Sequence, residues 1–321
     1  MGQLGDGSTT QKLAPVAIPG LTGVADIAAG NYHSLAVKND GTAWGWGFNT
    51  SGQLGDGTII SKSSPLQIPG LTDIVSVHAG GSHSLAFFDG EFRESLAWGN
   101  NGKGQLGVGD TVNRTTPEGV CCTLHQTFKL SAGASHSLAV REGSSVRAWG
   151  YNNSGQLGDG TTEDNLIYVQ LTGFTGVEEV FAGGSHSLAL KTDHTAWAWG
   201  ANSFGQLGDN TTEQRKTPVQ VHGSIAFQSL AAGSDHSMGI NLSGDVYTWG
   251  RNNYGQLAAP SNIQSRKSPI SIGLSRATHV AAGAYHSLAV NNDGMVFAWG
   301  WNDSGQLGDG TTNNAFSPVR P

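Results

Sequence analysis

Residues 30–57 read GNYHSLAVKNDGTAWGWGFNTSGQLGDG. The stretch holds a His-Ser pair, two tryptophans, an Asp-Gly turn signal and a glycine-rich end. Alone, it suits a catalytic pair, a metal loop or a cofactor cradle as readily as a scaffold. The rest of the chain decides, because its pieces recur. GQL occurs seven times, beginning at Gly2, Gly52, Gly104, Gly155, Gly205, Gly255 and Gly305, at intervals of 50 to 52 residues. AG-x-x-HS occurs six times, with His33, His83, His136, His186, His236 and His286. WG-x-N also occurs six times, with Trp46, Trp98, Trp149, Trp199, Trp249 and Trp299. Three motifs in one fixed order define an internal repeat.

Each period reads as short strands. In residues 2–51 the β-prone runs are Pro15–Ile18, Val24–Ala29, Ser34–Lys38 and Ala43–Trp46, and Asn39-Asp40-Gly41 is a hairpin signal between the last two. No 3.6-residue pattern persists for ten residues. Four strands in about 50 residues, repeated radially, is the arithmetic of a propeller blade. Small residues precede the histidines, as in Ala28-Ala29-Gly30 and Ala231-Ala232-Gly233, and suit strands crowded near an axis. The tryptophans suit the wider spaces between blades. Six histidines spread one per repeat cannot all be catalytic bases and stand too far apart for one metal. They are expected, with their serines, to hold backbone in place. No third orienting residue recurs with them, so a Ser-His nucleophile is not expected.

The unit HSLA…AWG-x-N-x-x-GQLGDGTT, seen at His186–Ala189, Trp199–Asn202 and Gly205–Asp209, resembles the repeat of the regulator of chromosome condensation family. The resemblance covers essentially the whole chain. It implies a seven-bladed β-propeller of about 50 residues per blade. Counted from GQL to GQL, the repeats are 2–51, 52–103, 104–154, 155–204, 205–254 and 255–304, with a partial unit 305–321, in one domain spanning 1–321. Seven full units would need about 350 residues. The expectation is therefore seven blades with one incomplete, the missing part preceding Met1. The alternatives are a six-bladed ring in which Gly305–Pro321 overlaps the first strand, and an assembly whose neighbour completes the blade by strand addition. Because Met1 leads straight into GQLG, the chain is expected to be trimmed, and a leader would not be legible.

Composition narrows the function. Of 321 residues 48 are glycine, with no Gly-X-Y period, and 13% are charged against 37% hydrophobic. That balance opposes disorder. The net charge is −7, without a run of like charges, which opposes nucleic-acid binding, and no apolar run is long enough for a membrane span. Cys121 and Cys122 are adjacent, so they provide neither a disulfide framework nor zinc-site spacing.

Other chemical-looking motifs dissolve into the repeat. Gly102–Gly107 matches G-x-G-x-x-G, but it is GQLG with a preceding glycine and no helix follows. The turns at Asp6, Asp56, Asp159 and Asp309 lack the alternating carboxylates of a calcium loop. Asn113, Asn210 and Asn241 head glycosylation sequons, relevant only if the chain is secreted; Asn49, Asn152 and Asn302 do so as part of WG-x-N. No catalytic residue, cofactor or metal site is expected.

The resemblance implies few transferable residues. Exchange activity and chromatin binding of the founding member rest on loops and basic segments outside the repeat. A plant relative senses ultraviolet B through a G-W-R-H motif, whereas here the residues before and including the histidines read GNYH, GGSH, GASH, GGSH, GSDH and GAYH. A bacterial relative inhibits β-lactamases through aromatics on one face, a role that Tyr32 and Tyr285 would suit. The repeat breaks at Pro117–Phe128, Ala258–Ser265 and Phe88–Ser95, where loops could carry recognition. The reading is a non-enzymatic protein-binding or self-assembling scaffold, leaning to the cell surface or outside. The alternative is a guanine-nucleotide exchange factor for a small GTPase.

Overall fold

Turn chemistry sets the hairpins. Asp40 Oδ1 accepts from the backbone and hydroxyl of Thr42, and Gly41, at φ 78°, donates its N–H to Lys38 C=O, so the flanking apolar segments fold back on each other. Asp193 and Thr195 repeat the turn. The computed structural model describes residues 1–88, 94–120, 127–141 and 143–321, and every regular element among them is a strand. The strands form six antiparallel four-stranded sheets, the blades of an all-β propeller fold. The chain divides into two compact units of three blades each.

The first unit comprises Met1–Thr10, Val16–Asn153 and Glu163–Thr175. Its first blade is β1 (Val24–Ala29), β2 (His33–Lys38), β3 (Ala43–Gly47) and β4 (Lys62–Gln67). The second is β5 (Ile74–Ala79), β6 (His83–Phe88), β7 (Glu94–Gly99) and β8 (Arg114–Gly119). The third is β9 (Thr127–Ala132), β10 (His136–Arg141), β11 (Ser145–Gly150) and β12 (Asn165–Gln170). Leu35, Val37, Ile74, Val77 and Trp98 make the core between the first and second blades. Leu85, Leu106, Leu130 and Trp149 do so for the second and third.

The second unit comprises Gln11–Pro15, Ser154–Thr162 and Gly176–Pro321. Its blades are β13 (Val177–Ala182), β14 (His186–Lys191), β15 (Ala196–Gly200) and β16 (Arg215–Gln220); then β17 (Phe227–Ala232), β18 (His236–Asn241), β19 (Val246–Arg251) and β20 (Ser265–Ser271); then β21 (Ala277–Ala282), β22 (His286–Asn291), β23 (Val296–Gly300) and β24 (Ala315–Val319). Leu188, Leu207, Phe227 and Trp249 pack between the first two of these, and Met238, Ile240, Val246 and Trp299 between the last two.

The expectation of seven blades with one incomplete is overturned: the described strands make six blades, each with four strands. The error lay in the counting frame. A blade takes three strands from one GQL-to-GQL period and its outer strand from beyond the next GQL, as β3 pairs with β4 across Gly52–Leu54. Seven GQL segments therefore bracket six blades. Gly305–Pro321 is no partial blade, since β24 pairs with β23 to finish the sixth. Pro15–Ile18, expected as a strand, forms none. Its counterparts become strands by pairing with the preceding WG strand, as Leu66 does with Gly45.

Two glycines show why the motifs are rigid. Gly99, after Trp98, has φ 100° and would set a Cβ 2.7 Å from Ser82 O, so no other residue fits. Gly80 lies flat against the His83 ring and Gly133 O, where a methyl would overlap both.

Candidate binding surface

The repeated histidines, serines and tryptophans lie inside. His33, His83, His136, His186 and His236 are buried, as are Trp98, Trp149, Trp199, Trp249 and Trp299. Trp98 Nε1–H and Ser84 Oγ–H both donate to Gln53 O, at 2.8 and 2.7 Å. His33 Nε2 is 3.0 Å from the same Ser84 Oγ. The serine has only one proton, already given to the carbonyl, so His33 Nε2 must be the donor. The same chain of bonds links His83–Ser137–Gln105, His186–Ser237–Gln206 and His236–Ser287–Gln256. Trp46 likewise reaches Gln3 O at 2.9 Å.

This fixes the neutral Nε2–H tautomer. The buried Nδ1 atoms of His33, His83 and His236 accept no hydrogen bond. Burial pushes His33 and His186 down to about 4, and His83 and His236 to about 3, with neighbouring histidines adding to the fall for the latter two. The proton runs from imidazole to serine to carbonyl, which is opposite in sense to a nucleophile and its base.

The GQL turns are closed by the WG-x-N asparagines. Asn49 Oδ1 accepts from Leu54 N, while its Nδ2 donates to Asp56 Oδ1, Thr58 O and Ile60 O. Burial raises the Asp209 carboxyl, but bonds from Thr211, Arg215 and Asn202 outweigh it and hold the group below its ordinary value. At the break Ala258–Ser265 the clamp survives without the carboxylate: Asn252 Nδ2 donates to Ala259 O and Ile263 O. Around Gly102–Gly107 the backbone is the same clamped turn, with Leu106 N donating to Asn101 Oδ1. No cluster of three or more His, Cys, Asp or Glu side chains arranged for a metal occurs among the described residues.

Sequon asparagines divide by exposure. Asn49, Asn152 and Asn302 are fully buried. Asn113 and Asn210 are exposed, and Asn210 takes a left-handed φ of 65°. Asn241 is half-buried, with Oδ1 accepting from Ser243 N and Asp245 N. Cys121 and Cys122, with most of the break at Pro117–Phe128 and the centre of that at Phe88–Ser95, lie outside the described residues.

What varies between repeats gathers at one end of each blade. The residue after WG donates its N–H to the carbonyl of the residue before the motif histidine: Phe48 to Tyr32, Asn100 to Ser82, Tyr151 to Ser135, Ala201 to Ser185, Arg251 to Asp235 and Trp301 to Tyr285. In the first unit Tyr32, half exposed, meets Phe48 edge-to-face at 6.2 Å, and Lys103 Nζ sits 4.7 Å above Tyr151. In the second unit a larger cluster forms. Tyr254, Tyr285 and Trp301 are in mutual contact, with centroids 5.4, 6.0 and 5.9 Å apart. The Arg251 guanidinium lies 4.6 Å over Phe204 and 5.9 Å from Tyr285, and donates from Nη1 to Asp235 at 3.2 Å. All five are partly exposed.

Tyr32 and Tyr285 thus have separate settings, each packed on aromatics of its own unit. Phe204, Arg251, Tyr254 and Trp301 went unread. Their signal was present, because each occupies a variable slot inside a constant motif: WG-x-N for Arg251 and Trp301, N-x-x-GQL for Phe204 and Tyr254.

The sequence profile of the RCC1-like domain family matches residues 1–321. The ultraviolet-B receptor UVR8 of Arabidopsis thaliana is 33% identical over 186 residues, 56% of this chain and 41% of the receptor. Protein RCC2 of Mus musculus is 44% identical over 69 residues, 21% of this chain and 13% of RCC2. The aligned parts are thus well under two thirds of these relatives. Among solved structures, human WBSCR16 superposes with TM-score 0.83 at 26% identity, covering 92% of this chain and 81% of that one. Prp20p of Saccharomyces cerevisiae, described with its binding to Gsp1p and histones, gives 0.84 at 25% identity, covering 96% and 80%.

Proposed function

Because the chain belongs to the RCC1-like domain family, we propose that it is a non-enzymatic binding propeller whose protein partner docks on the aromatic cluster of the second unit. The observation that carries this reading is the contact of Tyr254, Tyr285 and Trp301 with Arg251 held at their edge. Trp, Tyr and Arg dominate the energetics of protein interfaces. The backbone beneath the cluster is held before any partner arrives, with Trp301 N donating to Tyr285 O and Arg251 N to Asp235 O, and the Asp235 carboxylate pairs with the Arg251 guanidinium. The mutual ring contacts and that ion pair reduce the side-chain freedom left to lose on docking.

Affinity capture with the wild-type chain and with Trp301→Ala tests it. The partner should be retained by the wild type and lost by the variant, with thermal stability of the free protein nearly unchanged. Equal capture by both rejects the docking site. A second reading, regulation of a small GTPase, is supported by the similarity to Prp20p over 96% of this chain. It predicts accelerated nucleotide release from a GTPase of that class, and absence of acceleration across a panel removes it.

A further inference from the structure

Eight of the nine indoles donate their Nε1–H to an oxygen. Trp46, Trp98, Trp149, Trp199, Trp249 and Trp299 reach the carbonyl of a GQL glutamine. Trp44 and Trp197 reach the hydroxyls of Thr42 and Thr195. Trp301 is the ninth. It is partly exposed, and its Nε1–H meets no acceptor among the described residues. Its neighbours are open in the same way. The hydroxyls of Tyr254 and Tyr285 hold no hydrogen bond among the described residues. The Arg251 guanidinium uses only Nη1, towards Asp235, and its buried Nε is unpartnered. An indole and a guanidinium can only donate. The carboxylate that touches the cluster, Asp235, is already paired with Arg251.

Aromatic faces bordered by open N–H groups select a ligand with apolar rings to lay on them and carbonyls to present. A proline-rich segment has both. Proline has no N–H to leave unsatisfied, and polyproline II has no internal hydrogen bonds, so its carbonyls stay available. Such a segment is extended before it binds, which lowers the cost of ordering it. The Tyr285 ring plane is inclined by 54° to Tyr254 and by 79° to Trp301, so the rings leave wedges between them and not a flat stack. Phe204 adds a further ring across Arg251. The guanidinium stands 4.6 Å from Phe204 and 5.9 Å from Tyr285, which puts the two rings no more than about 10.5 Å apart. One turn of polyproline II, three residues at about 3.1 Å each, reaches from one to the other. A basic segment would meet Arg251 as a like charge, and an acidic one would compete with Asp235 for it.

We propose that, where a partner docks on this cluster as read above, the docked element is a proline-rich segment in the polyproline II conformation. Its prolines lie against Tyr254, Tyr285 and Trp301, and one of its carbonyls accepts from Trp301 Nε1–H. Aromatic-lined surfaces are a recurring means of holding such segments.

Selection of random short peptides on the full wild-type chain, depleted on Trp301→Ala, tests this. The retained peptides should be several-fold enriched in proline. Titrated by fluorescence anisotropy, they should bind Trp301→Ala about thirtyfold or more weakly than the wild type. Trp301→Phe keeps a ring but loses the N–H, and should bind about fivefold to tenfold more weakly. It leaves the ring packing in place, so a folding failure of Trp301→Ala does not obscure the result. Tyr32→Ala, in the cluster of the first unit, should bind like the wild type. Retained peptides without proline enrichment, proline-rich peptides that bind Trp301→Phe as tightly as the wild type, or no retained peptide at all each overturn the proposal. The docking site itself is judged apart from this by capture of the whole partner, which a partner without proline would still pass.

Discussion

A histidine held neutral by its surroundings is a sensor of acid whether or not it has a function. His33, His83, His186 and His236 give their Nε2 proton to a serine, and burial lowers them to about 3 or 4. In the unfolded chain each titrates near 6.5, so below that pH the unfolded state binds more protons. The stability they confer is complete above about pH 6.5 and is lost as pH falls towards about 4, at about 1.4 kcal/mol per pH unit for each histidine. Urea midpoints at pH 7.5, 6.0 and 5.0 should therefore fall steeply, well above the range in which carboxylates titrate. A midpoint constant from pH 7.5 to 5.0 would contradict the neutral state of these buried imidazoles. At this scale the sequence is legible where it repeats. Six copies of His-Ser declared that the pair is not one site, and the proton order came only from the three-atom chain through Gln53 O. Trp301 and Tyr254 were illegible because a variable slot gives no sign of which neighbours it meets.

An element is stable here through the blade beside it. Trp98 lies one residue before the end of β7, yet its indole belongs to the cluster of Leu35, Val37, Ile74 and Val77 and donates to Gln53 O in the turn before its own blade. Removing it opens a large cavity and leaves that carbonyl with one donor fewer. Trp98→Ala should cost about 3–5 kcal/mol, read as a lowered urea midpoint. Amide protection should fall in β2, β5 and β6 as well as β7, because the cavity wall is shared. A loss confined to β7 would mean that blades are stabilised singly. The hairpins were legible from Asn-Asp-Gly and its equivalents, since turn chemistry is local. The outer strands were harder. KSSPLQ and RTTPEG are poor strands by composition, and they form by pairing with a WG strand some fifteen residues earlier, across the clamped GQL turn. That same displacement misled the blade count, because a period measured between turns is not a blade.

Across the whole molecule, charge is sparse and the best-built surface is aromatic. Lys and Arg number 17 against 24 Asp and Glu, so no broad positive field is available to draw a polyanion. Within the second unit, the guanidinium nearest the cluster is already matched by Asp235 at 3.2 Å. Docking on Tyr254, Tyr285 and Trp301 would then derive from apolar burial and ring packing, which salt does not screen. At about 0.5 M salt the Debye length shrinks to a few ångströms, and a complex held by phosphate contacts would lose several orders of magnitude in affinity. Capture of the partner should instead persist from low salt to about 0.5 M, with the dissociation constant changing less than about tenfold, as measured by titration at fixed protein concentration. A steep logarithmic loss with salt would move the docking site away from the aromatic cluster. It would favour Lys103, Lys216 and the other scattered cations that the repeat places on its turns and outer strands.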